Sequence, residues 1–164
     1  MKKPIDDYIA AYSLPLTKLC VSLTDHHSDA EDLFQSTWEK AIRSIRKYDI
    51  SKPFDKWLFT ICVNVFRDRV RRYENRKVLR FKDDREEERF LSSIPSEDGD
   101  RDEILALRAA VAQLKPPLRE VIVLYYFRDY SVSELAEMLC IPEGTIKSRL
   151  SAARAELRKE LKDD

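Results

Sequence analysis

Glycine is almost absent from this sequence, which has only Gly99 and Gly144 among its 164 residues. Loops that cradle phosphate groups need several glycines close together, so the sequence excludes the glycine-rich nucleotide-binding motifs. The G-x-S-x-G pattern of a nucleophile elbow is also missing. No apolar run approaches the roughly 20 residues that span a membrane, and residues 1–7 lack the apolar stretch of a signal peptide. We therefore predict a cytoplasmic protein that does not insert into a membrane and is not an enzyme.

Cysteine and histidine are scarce as well. The three cysteines, Cys20, Cys62 and Cys140, are odd in number and scattered, and each lies in an apolar helical context. They are predicted to be reduced thiols in the core rather than a disulfide framework. The only two histidines, His26 and His27, are adjacent, so their side chains point in different directions, and no second cluster of metal ligands accompanies them. The sequence therefore predicts neither a metal site nor a cofactor.

Helix-forming residues dominate what is present. Hydrophobic residues make up 43% and charged residues 37% of the chain, and long stretches rich in Leu, Ala, Glu, Arg and Lys lack Pro and Gly. Strand-type alternation bounded by turns is hard to find, so the fold class is predicted to be all-α. Three helices are expected in a first domain, residues 1–82, and four in a second domain, residues 104–164. An acidic linker containing Pro95 and Gly99 is expected over residues 83–103.

The first domain contains three helical stripes of apolar residues. A helix over Ile5–Leu23 is expected to be interrupted at Pro15. The second helix is predicted to begin near Ser28 or Asp29, because Ser28 and Glu31 have the spacing of a capping box. A third helix is expected over about residues 54–80, with a basic end that carries few apolar residues.

Charge is segregated along the second half of the chain. Residues 67–80 contain seven basic and two acidic residues, residues 83–103 contain ten acidic and three basic residues, and residues 143–162 contain six basic and three acidic residues. Two basic surfaces separated by an acidic spacer suit a protein that binds a polyanion such as nucleic acid. Surface helices laced with salt bridges would have the same composition, so charge alone leaves both interpretations open.

The most specific local pattern is a helix-turn-helix in the second domain. Ser131 and Glu134 form a second predicted capping box, Cys140 lies in a short turn, and Pro142 suits the first position of the next helix. Many such turns have glycine where Cys140 stands, because that position can need a positive φ. This geometry presents the start of the second helix to a DNA major groove. The predicted contacts are Glu143, Thr145, Lys147, Ser148, Arg149, Ser151 and Arg154. A three-helix packing unit without a DNA role is the alternative.

Three segments together resemble one protein family. Residues 29–35 resemble the polymerase-binding helix of bacterial sigma factors of the extracytoplasmic-function (ECF) type. Residues 53–58 resemble the segment with which those proteins read and melt promoter DNA, and residues 142–150 are similar to their recognition helix. The likeness covers most of residues 29–72 and 104–160, and the three motifs stand in the family's order.

The resemblance implies two interfaces in the first domain. The 29–35 helix would bind the clamp helices of the largest polymerase subunit, although its polar stripe could also be an ordinary solvated face. The residues implied for polymerase binding are Asp29, Asp32, Leu33, Gln35, Ser36 and Glu39. The 48–53 loop and the helix after it would read and open the minus-ten element, at a cost of roughly a few kcal/mol per extruded base. The residues implied there are Ser51, Lys52, Lys56, Trp57, Asn64, Arg67, Arg71 and Arg72.

The chemistry of these side chains supports the implied roles unequally. Asn64 has the donor and acceptor needed to read a base edge, and the arginines can hold phosphates. Trp57 can either pack against the core or stack on a base, and both interpretations remain open. In the second domain Ser151 and Ala152 depart from the family's pattern, so Lys147 and Arg149 are expected to contribute more to binding of the minus-thirty-five element.

Taken as a whole, the resemblance predicts an alternative sigma factor that binds core RNA polymerase and directs promoter-specific initiation. It also implies an anti-sigma factor as a partner. One rival is a helix-turn-helix repressor or activator that binds duplex DNA without polymerase. Such a regulator would need neither the 29–38 helix nor the strand-opening helix. A weaker rival is an acidic adaptor that binds only proteins.

Overall fold

The computed structural model of the protein describes residues 3–76 and 101–162. All regular secondary structure in these two ranges is helical, which confirms the predicted all-α class. The chain divides into two compact units, Met1–Asp83 and Asp84–Asp164. Within the described ranges, none of the helices is long and apolar enough to cross a membrane.

Residues 3–76 of the first unit form a bundle of three helices. Helix α1 covers Ile5–Leu23, α2 covers His27–Ser44 and is followed by one 3-10 turn, and α3 covers Phe54–Arg76. Side chains from all three helices are fully buried between them, including Leu16, Leu19, Leu23, Leu33, Leu58 and Phe59. The predicted continuation of α3 over residues 77–80 lies outside the described residues.

Two local predictions for the first unit are wrong. Helix α1 continues across Pro15; burial of the leucines that follow offsets the missing backbone hydrogen bond. Helix α2 begins at His27, and no side chain caps it. Since it starts one residue before Ser28, that serine lies inside the first turn and the predicted capping box is not formed. Glu31 Oε1 instead lies 3.0 Å from His27 Nε2, one helical turn away.

Four helices make up the described part of the second unit, residues 101–162. Helix α4 covers Arg101–Gln113, α5 covers Pro116–Ile122 and runs into a π-helical turn at Val123–Phe127, α6 covers Val132–Leu139 and α7 covers Glu143–Lys162. Residues 101–103, the end of the predicted linker, lie in the first turn of α4. Residues 83–100 of the predicted linker lie outside the described residues.

A buried arginine joins α4 to α5. Arg119 is only 6% exposed, and its Nη2 donates to the carbonyl oxygens of Ala112 at 2.6 Å and Leu114 at 3.0 Å. The last carbonyls of a helix lack partners within the helix, so the guanidinium satisfies groups that would otherwise be buried without a hydrogen bond. The sequence pattern did not indicate this role, because the contact depends on how α5 folds back on α4.

The cysteines fit the predicted core position in two cases out of three. All three are free thiols; Cys20 and Cys62 are buried, with their Sγ atoms 3.8 Å apart. Burial, followed by the Cys62 thiol, raises the pKa of Cys20 well above its usual value. Cys140 is exposed, contrary to the prediction. It ends α6 in the left-handed conformation, with φ 54° and ψ 47°, and thus lies in a turn rather than on a packed face.

Candidate polymerase and nucleic-acid interfaces

An aromatic cluster supports the loop between α2 and α3. The rings of Tyr8 and Phe54 stack with centroids 4.1 Å apart, and Tyr48 meets Phe54 edge-on at 5.2 Å. Trp57 is half-buried and packs 5.2 Å from Tyr48 and 5.4 Å from Phe54. These contacts favour packing over base stacking as the role of Trp57. The loop is therefore held on a rigid apolar base.

Hydrogen bonds fix the loop itself. One carboxylate oxygen of Asp49 accepts from the Ser51 amide at 3.0 Å and from the Ser51 hydroxyl at 2.7 Å. The Tyr48 hydroxyl donates to the Lys52 carbonyl at 2.5 Å. Burial raises the pKa of Tyr48, which keeps this hydroxyl protonated and able to donate. Ser51 and Lys52, both predicted to contact the minus-ten element, are thus exposed on a loop whose shape is set in advance.

Helix α3 presents most of the remaining residues predicted for the minus-ten element. Asn64, Arg71 and Arg72 are exposed, whereas Lys56 and Arg67 are half-buried. Asn64 and Arg71 are seven residues apart, close to two full helical turns, and therefore lie on one side of the helix. Arg71 Nη2 is 3.8 Å from Asp68 Oδ1, an exposed pair that can exchange easily with a phosphate.

Most of the residues predicted to bind polymerase lie on the outer face of α2. Asp32, Gln35 and Glu39 are exposed, and Asp29 and Ser36 are half-buried. Leu33 is an exception, with 0% exposure in the core. A partner could touch it only by unpacking the bundle, so we assign Leu33 to the core rather than to the interface.

An arginine from α3 reaches this acidic face. Arg69 Nη2 lies 3.3 Å from Asp32 Oδ2 and 3.8 Å from Asp29 Oδ1. No sequence pattern indicated this role for Arg69, because it is 37 residues from Asp32 and the pair forms only when α2 and α3 pack together. The signal available in the sequence was limited to the basic character of the end of α3.

The helix-turn-helix of the second unit has the predicted local geometry. Ser131 Oγ accepts from the Glu134 amide at 3.1 Å, and the Glu134 carboxylate accepts from the Ser131 amide at 2.8 Å. This capping box is confirmed, as is the positive φ at Cys140. Pro142 stands just before α7 rather than at its first position; its carbonyl accepts from the amides of Thr145 and Ile146.

The outer face of α7 carries the residues predicted to contact duplex DNA. Ile146, Leu150 and Ala153 are buried against the rest of the unit. The predicted contacts that are exposed are Glu143, Lys147, Ser148 and Ser151, and those that are half-buried are Thr145, Arg149 and Arg154. The packed and exposed faces are thus opposed, as a helix lying in a groove requires.

Two tyrosines hold Arg154. Its Nε donates to the Tyr126 hydroxyl at 2.6 Å. The guanidinium carbon also lies 5.5 Å from the centroid of the Tyr126 ring and 5.6 Å from that of Tyr125. The π-helical turn after α5 therefore positions this predicted DNA contact, a role of Tyr126 that sequence reasoning missed.

Known proteins share both units. Residues 8–76 match the family described as Sigma-70 region 2, and residues 104–157 match Sigma-70, region 4. Fold and matches together define a two-region protein of the sigma-70 class. The ECF RNA polymerase sigma factor SigW of Bacillus subtilis is 30% identical over 96% of this chain and 88% of its own length.

Two solved structures resemble the chain. Sigma factor RpoE, in complex with the anti-sigma factor NepR from Bartonella quintana, has a TM-score of 0.76 and 28% identity, with 98% of each chain covered. CnrH, in complex with the cytosolic domain of CnrY, has a TM-score of 0.68 and 25% identity, with 97% of this chain and 88% of CnrH covered. The chain belongs to the family of ECF RNA polymerase sigma factors.

Membership of this family makes the chain an alternative sigma factor, which directs transcription initiation. A helix-turn-helix regulator that acts without polymerase is not favoured, because the region 2 match covers the first unit, which such a regulator would not need. The family is not a class of enzymes.

Proposed function

We propose that the first unit binds core RNA polymerase through the outer face of α2 and opens the minus-ten element with the 48–53 loop and α3. The second unit binds the minus-thirty-five element through α7. The observation that carries this proposal is the composition of the first unit, where an exposed acidic face and a preshaped loop followed by a basic helix occur in one small bundle. A protein that only bound duplex DNA would need neither.

The loop and α3 suit the handling of single-stranded DNA. The cost of extruding a base, roughly a few kcal/mol, has to be offset by contacts to the base and to the displaced strand. Ser51 and Lys52 supply polar groups on a loop that loses little entropy on binding. Asn64 then offers an amide to a base edge, and Arg71 and Arg72 offer charge to phosphates.

Helix α7 suits recognition of duplex DNA. Lys147 is exposed and Arg149 is half-buried near the start of the helix, where side chains reach base edges in a major groove. Gly144 has open space around it, so the backbone there can approach DNA closely. Arg154 lies about two turns farther along α7, where a phosphate contact is expected to set the position of the helix rather than its specificity.

A protein that masks these surfaces is the remaining partner we propose. RpoE was solved with the anti-sigma factor NepR, and CnrH with the cytosolic domain of CnrY. By similarity, we propose that this chain is held by an anti-sigma factor in the cytoplasm until it is released to polymerase.

A transcription assay tests the proposed function. The full chain is added to core RNA polymerase, and binding is measured together with run-off transcription from a library of promoter fragments. We expect complex formation and selective initiation. Asp32→Lys should abolish polymerase binding and Lys147→Ala should weaken initiation at promoters with a minus-thirty-five element.

Matched variants control for changes in charge. Asp7→Lys makes the same reversal at an exposed position of α1, and Lys159→Ala removes the same charge near the end of α7. Neither position belongs to the proposed interfaces, so both variants should initiate normally. Tight binding to promoter DNA with no association with polymerase would refute the proposal.

A further inference from the structure

Arg69 forms ion pairs with Asp29 and Asp32, two residues that the proposed function assigns to polymerase binding. We propose that Arg69 is an internal competitor that couples the two interfaces of the first unit. In the free chain Arg69 pairs with Asp29 and Asp32 and offsets one of their two negative charges. When polymerase binds these carboxylates, Arg69 is released to the promoter-binding end of α3. This inference rests on the proposed function and adds a regulatory contact to it.

A cation from a partner can displace Arg69 from these two ion pairs. A single nitrogen, Nη2 of Arg69, faces both carboxylates, at 3.3 Å from Asp32 Oδ2 and 3.8 Å from Asp29 Oδ1. The side chains of Arg69, Asp29 and Asp32 are 29%, 23% and 59% exposed. Ion pairs with this much contact to water are weak and screened by salt, so a cation from a partner can replace Arg69.

We expect Arg69 to compete with basic residues of polymerase rather than to assist binding by holding the two aspartates in place. An aspartate side chain is short and loses little entropy when it is held, so fixing its position in advance contributes little to later binding. By contrast, Arg69 places a full positive charge within 4 Å of each carboxylate. That charge reduces the attraction of the acidic face for basic residues of a partner and must be moved before they bind.

Release of Arg69 changes the charge of the neighbouring DNA interface. Arg69 lies three residues before Arg72, and residues at this spacing are neighbours on a helix surface. Once displaced, the guanidinium adds one positive charge beside Arg71 and Arg72, both exposed. Coupling of this kind is reciprocal, so a phosphate that engages Arg69 strengthens polymerase binding by the same factor.

Binding to core polymerase gives the first test. The dissociation constant is measured at low salt for the wild-type chain, Arg69→Gln and Arg69→Lys, with Lys3→Gln, an exposed position before α1, as the control for lost charge. Arg69→Gln should bind about two- to fivefold more tightly, the range expected for an exposed ion pair. The gain should shrink at high salt, Arg69→Lys should resemble the wild type, and Lys3→Gln should not tighten binding.

Several outcomes would overturn the inference. Weaker or unchanged binding by Arg69→Gln would show that Arg69 supports the carboxylates or has no influence on them. Equal tightening by Lys3→Gln would show an effect of net charge alone. If the wild-type chain does not bind polymerase at all, the proposed function itself fails. If the wild-type chain binds but the affinities of the variants do not follow the expected order, only the role of Arg69 is contradicted.

Binding to single-stranded DNA tests the release. Affinity for a fluorescent oligo-dT strand is measured by anisotropy with the full chain. Asp29→Asn combined with Asp32→Asn should raise this affinity about two- to fivefold. That gain should exceed any gain from Glu31→Gln combined with Glu39→Gln, which also removes two charges from α2. Adding Arg69→Gln should abolish this extra gain, as a double-mutant cycle for a direct contact requires. A gain that persists without Arg69, or no gain, overturns the coupling.

Discussion

At the scale of single residues, Asp49 holds the shape of the 48–53 loop. Ser51 and Lys52, which are predicted to contact DNA, lie two and three residues after it. Its carboxylate accepts two hydrogen bonds from Ser51, and the loop rests on Tyr48 and Phe54. Asp49 itself is not among the residues predicted to bind DNA, yet the position of the Ser51 hydroxyl depends on it.

Removing this carboxylate tests the dependence. Two hydrogen bonds of about 1 kcal/mol each hold the loop, so Asp49→Ala should reduce open-complex formation about five- to thirtyfold. Asp49→Asn retains an acceptor oxygen and should lose less. Polymerase affinity should not change, and Asp7→Ala on α1 serves as the control. Normal promoter opening by Asp49→Ala would contradict a preshaped loop; the readout is the fluorescence of a labelled minus-ten region on mixing with holoenzyme.

The Tyr126 hydroxyl is a second residue-scale feature with a measurable effect. It accepts from Arg154 Nε, while its ring and that of Tyr125 lie near the guanidinium. Tyr126→Phe removes only the hydrogen bond and should weaken binding to duplex minus-thirty-five DNA about two- to tenfold. Tyr125→Phe leaves both rings in place and should bind normally. Equal affinities by anisotropy for all three proteins would show that Arg154 needs no such support.

At the scale of elements, the turn between α6 and α7 carries a strained residue. Cys140 has φ 54°, a region in which a residue with a Cβ costs about 1–2 kcal/mol more than in its usual conformations. The side chain is exposed, so little packing offsets that cost. The helix-turn-helix therefore keeps its geometry through the packing of α6 and α7 and not through the turn residue.

Replacing this cysteine should raise stability. Cys140→Gly removes the Cβ and should increase the free energy of unfolding of the second unit by about 1 kcal/mol, after allowing for the greater freedom of glycine in the unfolded chain. Cys140→Ala keeps a Cβ and should stay within about 0.5 kcal/mol of the wild type. Urea unfolding followed by far-ultraviolet circular dichroism compares them. A destabilised Cys140→Gly would mean that the thiol makes a favourable contact.

The elements also show which features a sequence can predict. Ser131 and Glu134 form their predicted box because every atom involved lies within one turn. Ser28 and Glu31 have the same spacing, but α2 starts at His27 and Glu31 pairs there instead. The spacing of two residues thus permits a capping box, but the packing of the helix determines the residue at which the helix begins. The apolar stripes predicted each helix because burial of a stripe is what stabilises it.

At the scale of the whole molecule, the net charge of zero conceals surfaces of opposite sign. The acidic outer face of α2 and the basic end of α3 belong to one bundle, and α7 carries further basic residues in the other unit. Segregated charge along the second half of the sequence indicated the two basic surfaces. It could not indicate the pairs between distant residues, such as Arg69 with Asp32 or Arg154 with Tyr126, because these depend on how helices pack.

The contrast among the three thiols has a practical consequence. Cys20 and Cys62 are buried, and the pKa of Cys20 is raised, so neither presents a reactive thiolate to solvent. Cys140 is exposed in the turn that precedes α7. A maleimide dye should therefore attach to the native chain at this one position without any engineered cysteine. The protein thus carries its own attachment point for a fluorescent reporter, next to the helix proposed to meet the promoter.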